Sequence, residues 1–243
     1  MDGNCYLFQI SADRKKIDTH SAFKHPKKVF GVWWNPFDSK QFATCCEDGI
    51  LRIFNQDNNL PIKSCKGHTA KIFTCAWNPI IPNVLATSSD DNNVIVWDIS
   101  KEETSPLFKK VLVGHTKNVR GLLWNPEVPY LLLSGSWDAS IILWNVSKGQ
   151  KLTTIAQHTS DVYGLTCNWE WPFTFVSSSR DSTIRFWNYE SLIEPIRLKF
   201  FISMDYDNIL KAPQENIFEQ DASETGSINK VLFLWGEKSK ELT

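Results

Sequence analysis

Histidine, a hydroxyl residue and aspartate are the makings of a hydrolytic triad, in which a base activates an oxygen nucleophile and a carboxylate orients the base. The chain carries such a set four times. From His25, His68, His115 and His158, a hydroxyl follows at Thr44, Thr87, Ser134 and Ser177, and a carboxylate at Asp48, Asp91, Asp138 and Asp181. An aromatic comes six residues after each Asp: Phe54, Trp97, Trp144 and Trp187. Catalysis needs one site with substrate access, whereas this set recurs at one fixed spacing. The residues therefore read as parts of a repeated scaffold, and no enzyme activity, cofactor or small-molecule substrate is expected. Metal binding is not expected either, because four of the five His fall in separate units, His20 stands alone and no Cys cluster accompanies them. No G-x-x-x-x-G-K phosphate cradle is present.

The elements that position these residues are short strands. ILRIFN, NVIVWD, SIILWN and TIRFWN are apolar runs rich in Ile, Val and aromatics, bounded by turn residues. FATCC, LATSS, LLSGS and FVSSS precede them, and VFGVWWNP, IFTCAWNP and VRGLLWNP come earlier still, each stopped by Asn-Pro. The fourth unit has VYGLTCNWEWP instead. The spacing of successive His varies only in one loop, KEETSPLFKK, between Trp97 and His115. Small residues at Gly31, Thr74, Gly121 and Gly164 share one register and fit close approach of inner strands.

Composition narrows the function classes. With 26 Lys plus Arg against 27 Asp plus Glu, there is no global basic field to draw nucleic acid or an anionic membrane. The pairs Lys27-Lys28 and Lys109-Lys110 read as solvated loop charges. Six Cys without a C-x-x-C pair point to a reducing compartment, cytoplasmic or nuclear. No window reaches membrane-spanning length. The eleven Trp are an unusual load, and six of them fall in two repeat slots.

A period of about 40 to 45 residues with Gly-His near the start and Trp-Asp at the end is seen in Gly67-His68, Gly114-His115 and Trp97-Asp98, with Lys24-His25, Gln157-His158, Phe54-Asn55, Trp144-Asn145 and Trp187-Asn188 as variants. In this the chain resembles the WD40-repeat family. The resemblance implies an all-β fold, a β-propeller with four strands per blade. It covers residues 1–199, with repeats at about 20–55, 63–98, 110–145 and 153–188 and a partial blade at 1–13. This amounts to four complete blades and a half blade. Residues 200–243 lose the pattern, Phe201 standing where a further His is due, and read as an irregular polar segment with one strand at 230–235. Asp2 and Phe8 repeat the Asp-plus-six rule, so the chain is expected to start within a blade and to belong to a longer protein.

The resemblance also implies that His, hydroxyl, Asp and Trp form a hydrogen-bonded chain within each blade. The sets are His68, Thr87, Asp91 and Trp97; His115, Ser134, Asp138 and Trp144; and His158, Ser177, Asp181 and Trp187. The first unit has His25, Thr44 and Asp48 but Phe54, so its blade should be the weaker. The family's top-face contact positions match Phe30, Phe73, Arg120 and Tyr163, five after each His, and Glu47, Asp90, Trp137 and Arg180, one before each Asp. A residue next to the buried turn Asp should project to solvent. Trp137 either anchors a partner there, with Arg180, or lies as a lid on its own blade. The function expected is a non-catalytic scaffold for a protein or peptide partner. The alternatives are a ubiquitin-ligase substrate receptor, although the positions that would carry its Arg hold Asp57, Ser100, Ser147 and Glu190, and a subunit of a transport-coat or ciliary complex.

Overall fold

A computed structural model describes residues 3–10, 16–105 and 108–191. The expectations for residues 200–243 lie outside the described residues. Among the described residues the elements are seventeen β-strands in five antiparallel sheets. β1 (Asn4–Ile10) and β2 (Ile17–Lys24) form a hairpin sheet of their own. β3 (Val29–Asn35), β4 (Asp38–Cys46), β5 (Ile50–Asn55) and β6 (Asn58–Lys66) form the first four-stranded meander. β7 (Ile72–Trp77), β8 (Val84–Ser89), β9 (Val94–Asp98) and β10 (Lys109–Leu112) form the second. β11 (Val119–Trp124), β12 (Leu131–Ser136), β13 (Ile141–Asn145) and β14 (Gln150–Ile155) form the third. β15 (Val162–Thr166), β16 (Thr174–Ser179) and β17 (Ile184–Asn188) form a fourth sheet, described with three strands.

The first strands β3, β7, β11 and β15 are neighbours from sheet to sheet and mark the inner end of each blade. CYLFQIS, expected as a strand of a partial blade at 1–13, contributes β1, which pairs with β2 at Ile17–Lys24, beyond the bounds expected for that blade. The sheets are offset from the sequence units: β2, β6, β10 and β14 each precede a His, yet β6, β10 and β14 pair as the outer strand of the sheet before it. The variable loop after Trp97 therefore lies inside one sheet, between β9 and β10, where added length leaves the spacing of neighbouring sheets untouched.

Burial between sheets explains the alternating apolar pattern. One cluster joins Ile53 and Cys65 of the first meander to Ile72, Leu85 and Trp97 of the second, and another joins Val94 and Val96 to Val119, Trp124 and Trp144. Burying side chains of this size stabilises by about 1.5–3 kcal/mol each.

The Trp-Asn pair that ends an inner strand reaches both ways. The Trp77 indole N–H donates to the Trp33 carbonyl behind it at 3.1 Å, and Trp124 does the same to Ala76 at 2.9 Å. Asn78 and Asn125 donate forward to the Pro129 and Pro172 carbonyls of the following sheet, both at 2.7 Å. Their side-chain oxygens meanwhile accept the amides of Ile80 and Glu127 and so turn the chain. The Asn-Pro stop is thus also a clamp between sheets. Trp34, in the same slot as Trp77, has no inner strand behind it among the described residues and stands 47% exposed.

Candidate functional site

The spacing delivers each His to its hydroxyl. His68 Nε2 lies 2.8 Å from Thr87 Oγ1, which also accepts the Trp97 indole N–H at 2.8 Å. His115 and Trp144 meet at Ser134 Oγ, each at 2.7 Å, and His158 and Trp187 meet at Ser177 Oγ, again at 2.7 Å. On the other side of each ring, Nδ1 faces a carboxylate: Asp91 at 2.8 Å, Asp138 at 2.9 Å and Asp181 at 2.7 Å.

Donor bookkeeping fixes the protons. The carboxylate can only accept, so a neutral ring donates Nδ1–H to it and accepts the hydroxyl proton at Nε2, while the hydroxyl oxygen accepts the indole N–H. Each carboxylate also accepts a backbone amide from the residue after His: Thr69, Thr116 or Thr159. Burial alone would raise the Asp91 and Asp138 carboxyls; hydrogen bonds from His, the amides and, for Asp138, the Ser140 hydroxyl outweigh it and hold both below the ordinary range. The Thr183 hydroxyl, then His158, does the same for Asp181 against the opposing effect of burial. In each set the hydroxyl is fully buried between the ring and the indole, and that of Thr87 also lies 3.3 Å from the Ile95 carbonyl. The arrangement ties the His loop, β-strand and turn of one sheet together, each bond contributing about 1 kcal/mol net.

The first unit departs from the pattern. His25 Nε2 meets Thr44 Oγ1 at 2.9 Å, but Nδ1 donates to the Phe23 carbonyl at 3.1 Å. Asp48 is occupied by Arg52, whose Nη2 lies 2.7 Å from Oδ2. Phe54, with no N–H to donate, is fully buried in an aromatic cluster, stacked on Phe42 at 5.5 Å and edge-on to Phe23 at 5.3 Å. Burial pushes the His25 imidazole below its ordinary value, with the nearby Arg52 adding to the effect against the Phe23 carbonyl.

At the turn end of the sheets, the residues one before each Asp and five after each His come together. Phe30 stacks on Phe73 at 5.5 Å, the Arg120 guanidinium lies 4.0 Å from the Phe73 ring centre and 4.2 Å from that of Trp137, and Trp137 meets Tyr163 edge-on at 6.1 Å. One row thus crosses four of the five sheets. Asp90 anchors it from below, paired with Arg120 and, at 2.9 Å, with Lys71. Backbone bonds hold the turns onto the loops: the amides of Glu47, Asp90, Trp137 and Arg180 donate to the carbonyls of Lys28, Lys71, Asn118 and Asp161.

A protein-family comparison decides the kinship. The model described as "WD domain, G-beta repeat", WD40, matches residues 16–55, 59–98, 107–145 and 149–188. The chain belongs to the WD40 family. Among curated proteins, this WD40 chain is 26% identical to human Coronin-2A over 117 residues, covering 43% of the chain and 22% of that protein. It is 32% identical to Nuclear distribution protein PAC1 of Candida tropicalis over 100 residues, covering 41% and 20%. It is 29% identical to human Dynein axonemal intermediate chain 4 over 106 residues, covering 44% and 12%. The match spans about a fifth or less of the length of these relatives. No helix among the described residues is long and apolar enough to cross a membrane.

Two top-face expectations need correction in this WD40 chain. Arg120 is only 4% exposed and Asp90 is held between two cations, so neither projects to solvent. An Arg flanked by two rings gains more from stacking than from hydration. Trp137 is half-buried against Arg120 and Tyr163, while Arg180, its side chain 71% exposed, and Tyr163, 43% exposed, face outward. Reading the sequence alone missed Lys71, which shares Asp90 with Arg120, and the clamps made by Asn78 and Asn125. The repeated Asn-Pro after an inner strand was the signal available for the clamps.

Proposed function

We propose that this WD40-repeat chain is a non-catalytic scaffold that docks a protein or peptide segment on the turn end of its blades. The observation that carries the reading is the single row from Phe30 to Tyr163, in which side chains of four separate sheets touch in sequence, with Phe30 and Tyr163 exposed at its ends. Aromatic and Arg side chains set in a supported surface are the usual anchors of interfaces. Tyr163, Arg180 and the open side of Trp137 would touch the partner, with Arg120 and Asp90 holding them in place.

The relatives include a dynein chain and a nuclear distribution protein, which agrees with a subunit acting inside an assembly. Runs such as VRGLLWNPEVPYLLLSGSWD and DVYGLTCNWEWPFTFVSSSRDSTIRFWN also resemble WD repeat-containing protein 17, in keeping with a scaffold role. A ubiquitin-ligase receptor is disfavoured by Asp57, Ser100, Ser147 and Glu190 at the positions for its Arg. The six cysteines are free thiols, which suits a cytoplasmic or nuclear setting.

Affinity capture with quantitative mass spectrometry tests the reading. Tyr163→Ala with Arg180→Ala is expected to remove specific partners while leaving the melting temperature nearly unchanged; a partner set identical to that of the parent protein would refute it. Trp137→Ala with Arg180→Ala is expected to lose the same partners.

A further inference from the structure

We propose that the segment docking on this surface is an acidic peptide; this rests on the docking reading above. The first observation is how charge is layered at the turn end. Four of its carboxylates are held by partners, Asp91, Asp138 and Asp181 by His and Asp90 by two cations, while Asp161 lies beside Arg180 and Tyr163 and Glu47 is half-buried. Several of its cations face outward. Lys27, Lys28 and Lys117 are exposed and enter none of the ion pairs among the described residues, and Arg180 keeps only a 3.6 Å contact to Asp161. Lys27 and Lys117 occupy equivalent loop positions, their carbonyls accepting from Cys46 Sγ and Ser136 Oγ, so both sit beside the turns that carry the row.

The second observation is a pair of donors without acceptors. Arg120 Nε and Trp137 Nε1 are buried and have no hydrogen-bond partner, although their side chains are stacked on each other. Buried N–H groups are seldom left so, because each forfeits its hydration. A ligand rich in carboxylate oxygens supplies charge to the outer cations above this row, while its apolar side chains rest on Tyr163 and Phe30. Inner carboxylates offset the outer cations at a distance, so discrimination acts at contact and not through long-range steering.

The test is selection of a displayed random peptide library on the whole chain, followed by fluorescence polarisation of the selected peptides. Binders are expected to be enriched in Asp and Glu over the input library. Lys28→Glu and Arg180→Glu, both at exposed positions, should weaken them by at least about tenfold. Binders that depend on Tyr163 yet are neutral or basic, or that tolerate both charge reversals, would overturn the acidic assignment and leave the docking surface standing. Binders indifferent to Tyr163→Ala and Arg180→Ala, or no binders at all, would overturn both.

Discussion

The Arg120 guanidinium lies 4.2 Å from the ring centre of Trp137, with its opposite face 4.0 Å from Phe73, so a cation from one sheet is filed between aromatic rings of its own sheet and the preceding one. Asp90, from that preceding sheet, pairs with it. Removing the cation leaves a buried carboxylate with Lys71 as its sole charge partner and opens a gap between two rings. Arg120→Ala is expected to destabilise by about 2–4 kcal/mol. Arg120→Lys, which keeps the charge but loses the planar stack, should cost about 1–2 kcal/mol. Urea denaturation of both variants checks the ranking; a Lys variant as unstable as Ala would mean that planarity dominates.

Gly67 and Gly114 sit where a Cβ would come within 2.8 Å of the Trp97 and Trp144 rings. The equivalent residue beside Phe54 is Lys24. Phe54→Trp alone should therefore destabilise, through crowding against Lys24, whereas Phe54→Trp with Lys24→Gly should recover about 1 kcal/mol of coupling. A double-mutant cycle by chemical denaturation reads this directly. Conversely, Trp97→Phe should cost about 1–2 kcal/mol by removing the donor to Thr87.

The residue after each turn Asp has a left-handed backbone in all four units: Gly49 at φ 75°, Asn92 at 68°, Ala139 at 67° and Ser182 at 65°. Ala139 carries a steric cost there that glycine avoids, so Ala139→Gly should stabilise by about 0.5–1 kcal/mol after glycine's entropy is counted. Gly49→Ala is expected to destabilise by more than about 1 kcal/mol, since its Cβ would also meet the Ala70 carbonyl at 2.8 Å. Thermal denaturation should shift in opposite directions for the two.

Acid should weaken the fold in two stages. His25 titrates below its ordinary value when folded, so the unfolded chain takes up that proton first. Its contribution is complete above about pH 6.5 and is lost as pH falls from there through the folded value. Asp91, Asp138 and Asp181 are also depressed. Their contribution is present above about pH 3.9 and is lost as pH falls below that toward the folded values. Urea midpoints measured across pH should show both stages, and His25→Gln should erase the first while leaving the second.

The three hydrogen-bonded sets were implied by the WD40 resemblance carried onto the repeated spacing, and the carry-over works where the members lie in one sheet at fixed strand register. Asp48 was not readable in this way: Arg52, four residues on, outcompetes His25 for the carboxylate. Arg120 escaped for a different reason. It has the residue type of a contact residue, but its burial is set by Phe73 and Asp90, which come from the neighbouring sheet. Lys27 and Lys28 were legible as solvated loop charges, but their place with Lys117 beside the turn-end row was not, because it depends on loops of different sheets coming to one end.

The offset between sheets and sequence units separates what is copied from what folds. A duplicated unit carries the strand that finishes its predecessor and lacks the one that finishes itself, so it is never a self-sufficient module. Each four-stranded sheet is nonetheless continuous in the chain, so what couples neighbouring sheets is the shared apolar clusters and the Trp and Asn clamps between them, and stability becomes a collective property of the row of blades. Hydrogen exchange would then register one broad opening event across β3 to β14, and not a ladder of separate ones.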